Sequence, residues 1–91
     1  MDDNAQAQEL YAAIASLKTP QECAAFFTDL CTRSELAAMA ERLHVAKLVN
    51  NDMPYREVAK QTGSSTATVT RVAHWLNHGE GGYKLVLEKT Q

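Results

Sequence analysis

Apolar residues recur every three or four positions along most of the chain, a spacing typical of amphipathic helices. A first stripe between residue 4 and about residue 18 comprises Leu10, Tyr11, Ile14 and Leu17. A longer stripe runs from Leu36 through Leu43 to Val49. No segment alternates between apolar and polar residues for long enough to predict a strand. The pattern therefore predicts an all-α protein.

Capping and turn residues divide these stripes into separate helices. Residues 19–22 (Thr-Pro-Gln-Glu) combine a capping threonine, a proline suited to the first helical position and a capping-box glutamate. Residues 32–35 (Thr-Arg-Ser-Glu) repeat the capping box and predict a helix to about residue 50. A turn is expected at residues 50–52, and Pro54 suits the start of the next helix.

Residues 54–78 predict two short helices joined by a sharp turn. The first should run from Tyr55 to about residue 61 and the second from about Thr66 to residue 77. Gly63 stands where the chain must turn, since glycine takes a positive φ without steric cost. The inward-facing residues are Val58, Ala59, Val69, Val72 and Leu76. This spacing is typical of a helix-turn-helix.

The outward face of the second helix is suited to the major groove of DNA. Its side chains are short, polar or methyl-bearing, and they can contact base edges or thymine methyl groups. The candidate DNA-binding residues are Arg56, Lys60, Ser65, Thr66, Ala67, Thr70, Arg71 and His74. Helix-turn-helix geometry also occurs in domains that never contact DNA, so a helical protein-interaction module is the alternative.

Composition and charge narrow the function classes. The 91 residues suggest one domain with a net charge of −2. Residues 1–35 hold six acidic and two basic residues, whereas residues 36–78 hold five basic and three acidic ones and all three histidines. Only the second stretch is suited to an anionic partner. Two cysteines favour a reducing cytoplasm, and we expect no membrane segment or signal peptide.

The spacing of potential catalytic and metal-binding residues along the chain indicates neither an enzyme active site nor a metal site. There is no paired-carboxylate, Ser/His/Asp or Cys/His arrangement, and no CxxC motif for zinc. We therefore expect a non-enzymatic protein without a metal cofactor.

Residues 30–76 resemble the Trp repressor superfamily, and most of all its small YerC/YecD-type members. The resemblance is carried by Cys31-Thr-Arg-Ser-Glu-Leu36, Ala38-Met-Ala-Glu-Arg42, Arg56-Glu-Val58 and Thr62-Gly-Ser-Ser-Thr-Ala-Thr-Val-Thr-Arg71. Residues 78–85 resemble the small members specifically.

The resemblance implies an intertwined homodimer that acts as a transcriptional regulator, and more specifically as a repressor. Residues 1–50 would be dimerisation helices, residues 54–78 the helix-turn-helix and residues 79–91 a C-terminal segment of a single domain. Two reading helices about one DNA turn apart imply a near-palindromic double-stranded operator. Arg56 matches a residue that reaches DNA directly.

The resemblance also implies a possible corepressor pocket for tryptophan or another amino acid. Thr32, Arg42 and Arg71 stand at the positions of the family's pocket residues. Val72 and Trp75 replace smaller residues there, and their side chains could fill the cavity themselves. An amino-acid-gated regulator and an ungated one therefore both stay open.

Overall fold

The computed structural model describes residues 3–91, and all regular structure within that range is helical. The six helices are α1 (Asp3–Ala15), α2 (Pro20–Leu30), α3 (Arg33–Asn50), α4 (Tyr55–Thr62), α5 (Thr66–His78) and α6 (Gly82–Lys89). The all-α prediction is confirmed. Met1 and Asp2, which belong to the acidic first stretch and the predicted domain, lie outside the described residues.

The chain divides into two compact units, one ending at Leu36 and the other spanning Ala37–Gln91. The first unit contains α1, α2 and the start of α3. None of its described side chains is fully buried. Phe26 and Phe27 pack edge-to-face with their ring centroids 5.6 Å apart and are half-buried.

Helix α1 ends three residues before the predicted boundary at Lys18. The hydroxyl of Ser16 donates a 2.6 Å hydrogen bond to the carbonyl oxygen of Ala13. The N–H of Leu17 donates to the carbonyl of Ile14, an i→i−3 bond of 3.1 Å that tightens the last turn. These local bonds end the helix, which the apolar periodicity alone would have continued.

Both predicted caps are present at the starts of α2 and α3. The hydroxyl oxygen of Thr19 accepts a 3.1 Å hydrogen bond from the N–H of Glu22. In a capping box the Glu22 carboxylate would accept from the N–H of Thr19. Here it accepts instead from the N–H of Lys18, one residue earlier, at 2.8 Å. Thr32 and Glu35 form the complete reciprocal box. Hydrogen bonding of the Glu35 carboxylate to the backbone N–H of Thr32 first, and to the Thr32 side chain second, lowers the pKa of the Glu35 carboxyl.

The second unit contains the hydrophobic core. Its buried members are Val45, Ala46, Val58, Val69, Val72, Leu76 and Leu87, contributed by α3, α4, α5 and α6. The side chains packed against them are Leu48, Val49, Met53, Ala59 and Tyr83. The predicted inner residues of the α4–α5 region thus lie in the core or against it.

Helix α6 was not predicted from the sequence, where residues 79–91 were assigned only as a C-terminal segment. Gly81 precedes the helix with φ +83° and provides no side-chain cap. Leu87 nevertheless anchors α6 in the core with 4% of its surface exposed. No helix within the described range is long and apolar enough to cross a membrane.

Candidate nucleic-acid interface

Helices α4 and α5 are joined by a three-residue turn at residues 63–65. Gly63 ends α4 in the left-handed region with φ +77°, and its N–H donates to the carbonyl of Ala59 at 2.9 Å. The Thr62 hydroxyl donates to the carbonyl of Val58 at 2.7 Å and accepts from the N–H of Ser64 at 3.2 Å. Hydrogen bonds on both sides of Gly63 therefore hold the turn. A residue with a β-carbon would be strained in the positive-φ conformation that Gly63 adopts.

Helix α5 has two distinct faces. Val69, Val72, Ala73 and Leu76 are spaced i, i+3, i+4 and i+7, and all four are buried. The opposite face presents Thr66, Ala67, Thr70, Arg71 and His74, and all five are exposed. The core thus fixes the rotation of α5 about its axis and leaves this second set of side chains in solvent.

The start of α5 is capped by Ser65. Its hydroxyl oxygen accepts a 3.1 Å hydrogen bond from the N–H of Thr68 and donates to the Thr68 hydroxyl at 3.0 Å. Ser65 is exposed, so this predicted DNA-binding residue lies at the edge of the α5 outer face while it caps the helix. The neighbouring Ser64 is buried, and its Oγ has no hydrogen-bond partner.

Arg56 and Lys60 lie on α4, four residues apart and both exposed. Such a spacing puts the two cations on one helical face. Together α4 and α5 carry three cations, Arg56, Lys60 and Arg71, against the single carboxylate of Glu57. The pair of helices α4 and α5 is therefore mildly positive, as the charge distribution of the sequence indicates.

His74 is exposed on α5, and its ring contacts two neighbouring rings. The ring of Trp75 packs edge-on at a centroid distance of 5.2 Å and an interplanar angle of 80°. The ring of His78 lies at a centroid distance of 5.2 Å with an interplanar angle of 41°. The i, i+4 spacing of the two histidines accounts for the second contact, whereas nothing in the sequence indicates the first.

The three candidate corepressor residues are exposed. Thr32 belongs to the first unit, where its hydroxyl caps α3, whereas Arg42 and Arg71 belong to the second. Val72, one of the two bulky replacements, is 3% exposed and lies in the core. Trp75, the other, is 56% exposed, so it does not lie in the core of the chain.

An apolar groove of about 510 Å³ opens in the second unit beside Trp75. Its lining residues are Leu43, Trp75, Gly79, Glu80, Gly82, Tyr83 and Val86. Neither Arg42 nor Arg71 lines it. The apolar spacing of Tyr83, Val86 and Leu87 could have indicated a short helix, but nothing in the sequence places that helix beside α5.

Gly79 lines this groove, and its lack of a side chain leaves room for the backbone carbonyl of Trp75. A β-carbon at this position would collide with the carbonyl oxygen of Trp75. The N–H of Gly79 donates to that same carbonyl at 2.9 Å and closes the last turn of α5. Only glycine fits here without a shift of the backbone.

Comparison with known proteins gives consistent matches over nearly the whole chain. The family model of the Trp repressor protein matches residues 5–91. The uncharacterized protein YerC from Bacillus subtilis (strain 168) is 40% identical over 83 residues, which is 91% of this chain and 80% of YerC.

Two solved structures have the same fold. A candidate Trp repressor from Staphylococcus aureus superposes with a TM-score of 0.89 at 37% identity. The superposition covers 94% of this chain and 86% of the Staphylococcus aureus chain. A TrpR-like protein from Eubacterium eligens ATCC 27750 gives a TM-score of 0.86 at 41% identity over 91% of this chain and 86% of its own. The chain belongs to the Trp repressor family, as a YerC-type Trp-repressor-like protein.

Proposed function

We propose that the protein is a DNA-binding transcription regulator that reads double-stranded DNA with α5. The observation that carries the proposal is the division of α5 into a buried face and an exposed face of short side chains. A helix with such a face can enter the major groove, because no bulky side chain holds it away from the base edges. Family membership supports the same function.

Each side chain has a proposed role that follows from its chemistry. Thr66, Ala67 and Thr70 contact base edges and thymine methyl groups, while Arg71 pairs with guanine or phosphate. Arg56 and Lys60, one turn apart on α4, bind phosphates and position the helix. Ser65 and backbone N–H groups of the first turn of α5 bind a further phosphate in this proposal, and His74 lies at the far end of the same face.

The regulator acts as a homodimer in this proposal. The described part of the chain buries only eight hydrophobic side chains, whereas it exposes large ones in both units, among them Leu10, Tyr11, Leu30, Leu36 and Leu43. The core of a chain of 91 residues gives only marginal stability by itself. Burial of these side chains against a second copy would add buried apolar surface and so raise the stability. The dimer would carry two reading helices and recognise a near-palindromic operator, most simply as a repressor.

Selection of bound sequences from a random DNA pool tests the proposal. At low salt the full chain should enrich a near-palindrome with half-sites about 10 base pairs apart, or a multiple of that spacing. Thr70→Asp, which places a negative charge on the exposed face of α5, should abolish the enrichment, whereas Glu88→Asp on α6 should leave it unchanged. If the wild-type chain enriched no sequence, the protein would instead be a helical protein-interaction module.

A second candidate is a regulator whose DNA binding is gated by an amino acid. The apolar groove beside Trp75 favours it, because the groove has room for a ring-bearing side chain. Calorimetry with tryptophan and the other amino acids separates the two candidates. Heat of binding at millimolar or lower ligand concentration would support gating, and its absence would leave an ungated regulator.

A further inference from the structure

His74 and His78 lie one turn apart near the C-terminal end of α5. Side chains at i and i+4 project from the same helical face, and both of these are exposed to solvent. Their ring centroids are 5.2 Å apart, with the planes tilted by 41°. Two solvent-exposed imidazole rings are therefore held side by side.

The separation of the rings matches what one metal ion requires. A metal–nitrogen distance of about 2.0–2.1 Å puts the ion about 3.2 Å from each ring centre. When a nitrogen of each ring is turned toward the same ion, the 5.2 Å between the centroids corresponds to an angle of about 110° at the ion, close to the tetrahedral value that zinc prefers. We propose that His74 and His78 form a two-histidine site for a borderline divalent transition metal, Zn²⁺ or Cu²⁺.

The surroundings favour this pair over an isolated histidine. Trp75 packs edge-on against His74, with 5.2 Å between the centroids, and restricts the rotation of that ring. The helix carries both rings, so once one nitrogen has bound the ion, the other stays at a high effective concentration. The second ligand thus costs little additional conformational entropy.

The site is open rather than closed. No group of three or more His, Cys, Asp and Glu residues in the described part of the chain is arranged to hold a metal. Water would therefore fill the remaining coordination positions, as at sites that exchange their metal or bind further ligands. Imidazole ligands suit Zn²⁺ and Cu²⁺, whereas Mg²⁺ and Ca²⁺ prefer oxygen, so the pair discriminates between these two classes.

Isothermal calorimetry on the full chain, prepared without a histidine tag and in the absence of DNA, tests this site. ZnCl₂ should give one binding event per chain, and MgCl₂ should give none. His74→Ala and His78→Ala should each weaken Zn²⁺ binding by roughly tenfold or more, because each removes the chelate. His44→Ala is the matched control, since His44 is exposed on α3 and has Ala40 and Leu48 one turn away instead of a histidine.

Electron paramagnetic resonance of the Cu²⁺-loaded chain provides a second readout. The wild-type protein should show two coordinated nitrogens and either single variant one. The far-ultraviolet circular dichroism spectrum establishes that the variants stay helical. Wild-type affinity in both His74→Ala and His78→Ala, or an equal loss in His44→Ala, would overturn the site. Because DNA is absent, this result is independent of whether α5 reads DNA.

Discussion

Thr32 and Glu35 cap α3 reciprocally. The N–H of Glu35 donates to the Thr32 hydroxyl oxygen at 3.1 Å, and the N–H of Thr32 donates to the Glu35 carboxylate at 2.8 Å. Hydrogen bonding to the charged form lowers the pKa of the Glu35 carboxyl. The charge also lies at the positive end of the α3 dipole.

This cap should make stability depend on pH in one direction. A carboxyl with a lowered folded-state pKa stabilises the fold above its unfolded-state pKa, and that contribution is lost as the pH falls through the folded-state value. Glu35→Gln should therefore lower the Tm near neutral pH, and the difference from wild type should shrink as the pH falls below the ordinary carboxyl pKa of 4.5 and through the lowered folded-state value.

Thermal melts followed by circular dichroism across this range measure the effect. Glu41→Gln is the control, since Glu41 lies beyond the first turn of α3. A Tm difference for Glu35→Gln that stayed constant down to the lowest pH would show that the charge does not strengthen the cap.

Gly63 sets the turn between α4 and α5, so Gly63→Ala should destabilise the fold. The position has φ +77°, and an L-residue costs about 1–2 kcal/mol in this region. Urea unfolding would measure the loss. Gly82→Ala is a matched control, because a β-carbon at Gly82 meets nothing within 4 Å. Equal losses in the two variants would contradict a role for the left-handed turn.

Leu85 and Leu87 lie two residues apart on α6 in opposite environments. Leu87 is 4% exposed and Leu85 is 55% exposed. Leu87→Ala should cost about 2–5 kcal/mol of unfolding free energy, because it leaves a cavity in the core. Leu85→Ala should cost far less. A loss for Leu85→Ala as large as that for Leu87→Ala, and independent of protein concentration, would show that α6 docks by its other face.

Arg71 is the proposed base or phosphate contact on α5. Arg71→Ala should weaken binding to a selected operator by about 1–3 kcal/mol if the guanidinium contacts a guanine. A phosphate contact would instead reduce the salt dependence of binding by about one unit of slope. Fluorescence anisotropy at several salt concentrations distinguishes the two roles, and Lys89→Ala on α6 controls for the loss of one positive charge. Unchanged affinity and slope would remove Arg71 from the interface.

The exposed apolar residues of α1 should drive assembly. Replacing Leu10 and Tyr11 by serine removes two large side chains that the chain leaves 37% and 58% exposed. In sedimentation experiments this double variant should shift the protein from dimer toward monomer, and the wild-type Tm should rise with protein concentration. Gln8→Ser, an exposed polar position on α1, should change neither. A monomeric wild-type chain would contradict the dimer.

Most of the helices could be predicted because local chemistry marks their ends. Helix N-caps are formed by the hydroxyl groups of Thr19, Thr32 and Ser65, residue types that favour this position. Gly63 takes the positive φ expected of it. Helix α6 escaped prediction because it has eight residues and begins after Gly81 without a side-chain cap. Its position depends on Leu87 reaching a core built from distant parts of the chain, and no local signal encodes that contact.

The exposed face of α5 was also predictable, since helical periodicity puts Thr66, Thr70 and His74 opposite the valines. The groove was not, because Leu43, Trp75 and Val86 are far apart in sequence and meet only once the core has formed. The proximity of the His74 and His78 rings follows from their i, i+4 spacing, but the edge-on packing of Trp75 does not. Periodicity assigns faces to helices, and only tertiary packing determines what those faces enclose.

Trp75 is the single tryptophan of the chain and belongs both to the apolar groove and to the ring contact with His74. It is 56% exposed, lines the apolar groove and packs against His74. Its intrinsic fluorescence is therefore a built-in probe that needs no label. A ligand in the groove or a second copy over it would exclude water and shift the emission to shorter wavelength, whereas a Cu²⁺ ion at the histidine pair would quench it.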